Sequence, residues 1–365
     1  MPFNFAPKSS LAEASVSIST TVLASYLSAV NPIIPKKTTI PILKFVRINV
    51  VDGNGYLTVS DSDCFAALDV SDAIGKGAID LAVEYSALHN IANKAPNGTM
   101  LIERSGNELS FKANCTNCGK VVGVPGNDCP FMIIPRDTKL LEKALTDFDI
   151  RYVDKWLSPF CSDDKQYPTL SGVLLSLDGV QSGFATTNRT MMVCTNFIAH
   201  PSFTCSLPLK AFKVLDALGG EVTLNIYQSM YMFKGKAVSV YGKYIGGAYP
   251  QSYNLLRLLS AEHEYKVDVP ALRAATQRLL NVVPPTKKGL CPVMLTYGAA
   301  GLGVTEVPDN YEFDKGGVKL DAHRLLDTLE RFSDNSDVTF QSIGILERPT
   351  MWIDGRATTL LMPLR

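Results

Sequence analysis

The chain has 365 residues, more than one hydrophobic core usually organises, so two or three domains are expected. Hydrophobic residues make up 46% and charged residues 19%, an ordinary globular balance. Lysine plus arginine and aspartate plus glutamate both total 35, which argues against bulk-charge coating of nucleic acid and leaves room for a local basic surface. The eight cysteines are scattered between Cys64 and Cys291, unlike a compact disulfide framework. Residues 1–14 lack the apolar core of a signal peptide, and no apolar run is long enough to span a bilayer. The expectation is a reduced, cytoplasmic chain with no membrane partner.

Taken in order, the predicted elements repeat. Residues 16–19 alternate like a strand and lead into a helix over 20–30, where Leu23, Leu27 and Val30 mark one face and Thr20 or Thr21 fits the N-cap. A second strand, 81–83, leads into a helix over 86–92, and strand-like sequence follows from Gly98 to Ala113. The stretch 139–145 fits strand or helix equally. Residues 148–150 read as a strand opening a helix over 152–157. Then 205–207 lead into a helix over 210–218, ended by Gly219-Gly220, with strands over 221–244. Residues 265–268 lead into a helix over 269–279, with Asp268 as N-cap and Pro270 in the first turn. Finally 318–320 lead into a helix over 322–332, ended by the polar run 334–336, with strands over 337–364. The strand–helix–strands unit thus recurs six times, two per domain, with a domain period of roughly 120–130 residues. The boundaries fall at 1–135, 136–262 and 263–365. The fold class is α+β, each helix burying one stripe on a sheet, with the six helices expected on one side of a continuous sheet.

Catalytic chemistry is hard to assemble. His89, His200, His263 and His323 are isolated in sequence. Asp61/Asp63 and Asp163/Asp164 are acid pairs of a kind usually solvated in turns. Residues 298–303 imitate a nucleotide loop, but no helix follows, so a hairpin is the better reading. Cys115 and Cys118 form a CxxC pair; zinc wants four ligands, and beyond Cys129 no further one is evident. The reading is no enzyme, no cofactor and no metal.

Several strings, in order along almost the whole chain, resemble the bacterial DNA sliding clamp, the beta subunit of the replicative DNA polymerase III. They are Thr38-Thr-Ile-Pro-Ile-Leu43, Leu57-Thr-Val-Ser-Asp-Ser-Asp63, Gly123-Val-Pro-Gly-Asn-Asp-Cys-Pro130, Tyr167-Pro-Thr-Leu-Ser-Gly-Val-Leu174, Phe184-Ala-Thr-Thr-Asn-Arg-Thr-Met191, Gly242-Lys-Tyr-Ile-Gly-Gly-Ala-Tyr-Pro250 and Leu360-Leu-Met-Pro-Leu-Arg365. The chain departs from the family at Thr187, where an acid is usual, and at Thr190, where an arginine is usual, which marks it as divergent.

The resemblance implies a DNA-clamp fold and a head-to-tail homodimer ring around duplex DNA. Such a ring serves as a processivity factor for polymerase and clamp loader, which bind by short peptides containing leucine and phenylalanine. A ring holds DNA by topology, so loose phosphate contacts suffice. Lys36, Lys37, Lys210, Lys213, Arg273 and Arg278 are the candidate DNA contacts. Carried over by position, a partner-peptide pocket would use Leu170, Thr186, Asn188, Arg189, Met191, Pro250, Leu255, Leu360, Met362, Pro363, Leu364 and Arg365. Two rival classes are a metal-stabilised nucleic-acid-binding protein using Cys115 and Cys118, and an enzyme whose site forms only in three dimensions.

Overall fold

The computed structural model describes residues 14–52, 54–70, 74–130, 139–162, 164, 166–178, 182–195, 198, 201–250, 256, 263–299, 301–308, 317–342 and 349–364. The chain forms two compact units, one of residues 1–154 and 207–244, the other of 155–206 and 245–365. Six α-helices are described: α1 (Thr20–Val30), α2 (Tyr85–Lys94), α3 (Asp147–Tyr152), α4 (Leu209–Leu218), α5 (Val269–Val282) and α6 (Ala322–Glu330).

The first unit holds two antiparallel sheets. The smaller has the strand order Ile74–Lys76, Ala14–Ser19, Thr99–Ser105, Glu108–Ala113, Thr116–Val122. The larger has nine strands, in the order Val124–Pro125, Ala78–Glu84, Phe45–Val51, Asn54–Ser60, Cys64–Asp69, Val238–Lys243, Met230–Lys234, Val222–Ile226, Leu141–Leu145. The pairing of Ala66 with Val240 joins strands of the first repeat to strands of the second. Strand Ala14–Ser19 buries Ala14, Val16 and Ile18 in alternation, as a strand with one covered face must. It runs straight into α1, which buries Leu23, Tyr26, Leu27 and Val30 at helical spacing. Fully burying each of these large apolar side chains is worth about 1.5–3 kcal/mol before entropy is counted. Helix α1 packs on α2 and α4, and α3 packs on α4.

The second unit carries an eight-stranded sheet, in the order Phe203–Pro208, Gly172–Leu177, Ser182–Thr187, Met191–Thr195, Ala357–Leu361, Thr350–Ile353, Thr339–Ser342, His263–Lys266. A three-stranded sheet runs Gly301–Glu306, Pro292–Gly298, Gly317–Asp321. Helices α5 and α6 pack on each other. Arg273 of α5 donates to the carbonyls of Leu329 and Phe332 at 3.1 and 2.8 Å and pairs with Asp334 at 2.6 Å, tying α5 to the end of α6.

Most predicted elements stand, with four corrections. Residues 148–150 belong to α3; the strand of that copy is Leu141–Leu145, and a π-helical turn over Val153–Leu157 follows α3. The Thr146 hydroxyl accepts from the Asp149 N–H while the Asp149 carboxylate accepts from the Thr146 N–H, and this reciprocal cap starts the helix ahead of the expected place. The N-cap of α1 is Ser19, one residue before the expected threonines. The described strands make four sheets, where one continuous sheet was expected. The glycine-rich stretch at 298–303 is the end of a hairpin, Gly298 pairing with Gly301, as expected.

Candidate functional site

In the second unit, the turn between strands Ser182–Thr187 and Met191–Thr195 is built by Asn188. Its side-chain oxygen accepts from the Thr190 N–H, the Thr190 hydroxyl and the Met191 N–H at 3.1, 2.9 and 2.8 Å. Three donors on one oxygen fix the loop tightly, and they hold Arg189 at a φ of +77°, a conformation uncommon outside glycine. The Thr187 hydroxyl donates to the Met191 carbonyl at 2.7 Å and accepts from the Arg189 N–H at 3.0 Å. The last strand, Ala357–Leu361, pairs with Met191–Thr195, so that Met191 faces Leu361 and Met192 faces Leu360. Beyond that strand the Met362 N–H donates to the Thr190 carbonyl at 2.9 Å, and the Leu364 N–H to the Lys319 carbonyl at 2.8 Å. The chain end is therefore docked.

Beside this turn lies a cavity of about 210 Å³. Its walls are Thr187, Arg189, Thr190, Met191, Met192, Pro250, Pro349, Leu360 and Met362. Behind it sits a packed cluster of Leu174, Ala185, Met192, Cys194, Met351 and Leu360, with Tyr249 and Leu256 against it. The Tyr249 hydroxyl donates to the Ala185 carbonyl at 3.4 Å, and burial pushes its pKa up. Three thioethers and two prolines make a wall that is apolar and adaptable. Arg189 stands at the cavity with its guanidinium 4.6 Å from the centre of the Tyr167 ring.

Five of the expected pocket residues line this cavity: Arg189, Met191, Pro250, Leu360 and Met362. Leu170 and Thr186 lie fully buried, and the Thr186 hydroxyl donates to the Leu157 carbonyl at 2.7 Å. Asn188 shapes the turn, while Pro363 and Leu364 are half-buried at the docked end. Leu255 and Arg365 lie outside the described residues. Sequence reasoning missed Thr187, Thr190, Met192 and Pro349. Thr187 and Thr190 carried a signal as the two positions at which the chain departs from the family, and Met192 as the second of two adjacent methionines.

The candidate DNA contacts divide into two groups. Lys210 pairs with Asp61 across the first unit and is three-quarters buried, and Arg273 is occupied by the α6 end. Lys36, Lys37, Lys213 and Arg278 are exposed, with no ion pair among the described residues. Asp61 also accepts from the Asp63 and Cys64 N–H groups, so this acid pair belongs to a turn and an ion pair. Cys115, at a φ of +64°, occupies a hairpin turn, and Cys118 lies in the following strand. Cys129 is buried elsewhere in the unit, and no three metal-ligating side chains gather among the described residues. No helix among them is long and apolar enough to cross a membrane.

Repeated strand–helix units with sheets over paired helices define the DNA-clamp class of α+β proteins. Residues 14–128 match the family model of the DNA polymerase III beta subunit, N-terminal domain. The beta subunit of Streptococcus pyogenes DNA polymerase superposes with a TM-score of 0.80 at 18% identity, covering 96% of this chain and 100% of that one. A Pseudomonas aeruginosa sliding clamp solved with griselimycin bound gives 0.81 at 18%, covering 97% and 100%. The Thermotoga maritima beta subunit gives 0.80 at 15%, covering 96% and 99%. No curated protein sequence matches the chain.

Proposed function

We propose that the chain is a sliding clamp, a non-catalytic processivity factor that encircles duplex DNA as a head-to-tail homodimer. In this reading the three domains are 1–135, 136–262 and 263–365, and six of them close the ring. The observation that carries it is the likeness to sliding clamps over 96–97% of the chain, from the first repeat to the docked C-terminus. Partners, namely polymerase and clamp loader, attach by short apolar peptides in the cavity beside Met191 and Met362. Its volume and its mobile thioethers suit two apolar side chains of an extended segment. DNA is met by exposed lysine and arginine side chains, for which Lys36, Lys37, Lys213 and Arg278 are the best placed by exposure.

The test has two arms. Loader-dependent retention on nicked circular DNA, with release on linearisation, is the expected result for a topological clamp. Binding to a labelled peptide of the Gln-Leu-x-Leu-Phe type, at about micromolar affinity, is expected for the cavity. Equal retention on linear and circular DNA would refute the ring.

A further inference from the structure

We infer that Arg189 is a specificity-determining residue of the cavity and selects partner segments that carry a carboxylate next to their apolar anchors. The inference rests on the proposed function, since it names the chemistry of the partner that the same cavity takes.

Arg189 is the one charged side chain among the described residues that line the cavity; the other eight are threonine, methionine, proline or leucine. No carboxylate of the described residues forms an ion pair with it. Its guanidinium instead lies over the Tyr167 ring. That contact satisfies none of its five N–H donors, so among the described residues the donors remain available to an acceptor. The backbone position is held just as firmly. A left-handed φ at a non-glycine residue costs energy, and the three hydrogen bonds to Asn188 hold it there. The turn thus presents a cation at an apolar cavity, and stacking reduces the freedom that binding would otherwise remove.

Charge complementarity identifies the occupant. An apolar peptide with a lysine beside its anchors would meet like charge at the rim, while one with aspartate or glutamate gains a charge-assisted hydrogen bond. The pair would be solvent-exposed, so the gain is modest and screened by salt. It sets choice between partners more than total affinity.

The experiment measures fluorescence anisotropy with a peptide set built on Gln-Leu-x-Leu-Phe. Glutamate is placed in turn before the motif, at x, and after it, and each member is paired with its glutamine counterpart. At one or more positions the acid should bind about fivefold tighter than the amide. That preference should vanish in Arg189→Gln and shrink at 0.5 M salt. Arg189→Lys should keep part of it, and Tyr167→Leu should weaken it while peptide binding persists. Acid and amide peptides binding alike at every position would overturn the inference and leave the cavity assignment standing, as would a preference that survives Arg189→Gln. If no peptide binds the intact chain, the cavity reading fails and this inference falls with it. Circular dichroism of each variant separates loss of the cation from loss of the fold.

Discussion

The hydroxyl of Tyr26, at the centre of α1, donates to the carbonyl of Leu57 at 2.8 Å in the nine-stranded sheet. It lies 3.0 Å from the Ala66 carbonyl of the adjacent strand as well. Tyr26 is fully buried, and burial holds its ionisation well above the ordinary tyrosine range. The hydroxyl is therefore a permanent donor at neutral pH, tying helix to sheet where no water competes. Tyr26→Phe leaves the packing almost unchanged and removes the donor. It should cost about 1–2 kcal/mol, read as a lower urea midpoint at constant slope. No shift in the midpoint would mean the hydroxyl contributes only volume.

A second buried contact should prove costlier to break on one side than on both. Arg47, 2% exposed, pairs with Asp80 through two parallel hydrogen bonds of 2.9 and 3.0 Å. Asp80→Ala strands a buried guanidinium and should cost about 3 kcal/mol. The double variant Arg47→Met, Asp80→Leu should recover most of that loss. Equal destabilisation by single and double variants would show that the pair itself carries the energy.

The buried thiols give the chain an alkaline weakness. Desolvation pushes Cys64 up to about 12, Cys194 up to about 12 and Cys129 up to about 11 from an ordinary value of 9.0. In each case the folded state holds its proton more firmly than the unfolded chain. Their stabilising share is therefore complete below pH 9 and is lost as pH rises from 9 toward 11–12. Each such group removes about 1.4 kcal/mol per pH unit in that window. Urea midpoints at pH 7.5, 9 and 10.5 should be flat between the first two and fall at the third. Cys194→Ala should flatten the fall, since Cys194 is buried in the second unit's core.

The pattern of sequence reading follows from where each signal resides. Asp268, which accepts from the Ala271 N–H, and Gly219, at a φ of +67°, are local devices whose chemistry is visible one residue at a time. The strand Leu141–Leu145 contains Glu142, Lys143 and Ala144, all poor strand formers, and is decided by pairing with Val222–Ile226. That partner is distant in sequence, so periodicity alone left the segment open. Thr146 and Asp149, three apart, did carry a capping-box signature, and it marked the start of α3. The cavity was half legible for the same reason. Met191 and Met362 sit on matched strings, while Met192 joins through the pairing of Met191–Thr195 with the last strand, and Pro349 through that of Thr350–Ile353, which it precedes, with the same last strand.

Exposure separates the basic residues into two testable classes. Lys213 and Arg278 are solvent-facing on α4 and α5. Replacing both by glutamine should shift stability by less than about 0.5 kcal/mol. If both touch phosphate, the slope of log affinity against log salt should shrink by about 2. Lys210→Gln should behave differently, because it leaves Asp61 without its cation in a partly buried turn. It should lower thermal stability more than it alters the salt slope. The reverse ranking would place Lys210, and not Lys213, against DNA.

The docked chain end offers the sharpest separation of site from scaffold. Met362 lines the cavity, and its N–H donates to the Thr190 carbonyl of the turn that presents Arg189. Leu364 is anchored independently, through its N–H, on the Lys319 carbonyl. The strand ends at Leu361, so removing residues 362–365 leaves every ladder pairing with Met191–Thr195 in place. The truncated chain should therefore keep its sheet, with a loss of about 3–5 kcal/mol for two hydrogen bonds and three half-buried apolar side chains. Peptide binding should fall more than tenfold, because one wall of the cavity is gone and the turn opposite has lost its tether. Met362→Ala isolates the wall from the tether, since its N–H remains. It should retain the turn and lose affinity by about three- to tenfold, the value of a partly filled methionine contact. Calorimetric titration of both variants against one peptide decides the matter. Unchanged affinity in the truncation would place the binding site away from this cavity. A loss in the truncation with none in Met362→Ala would assign the effect to the hydrogen bond that holds the turn.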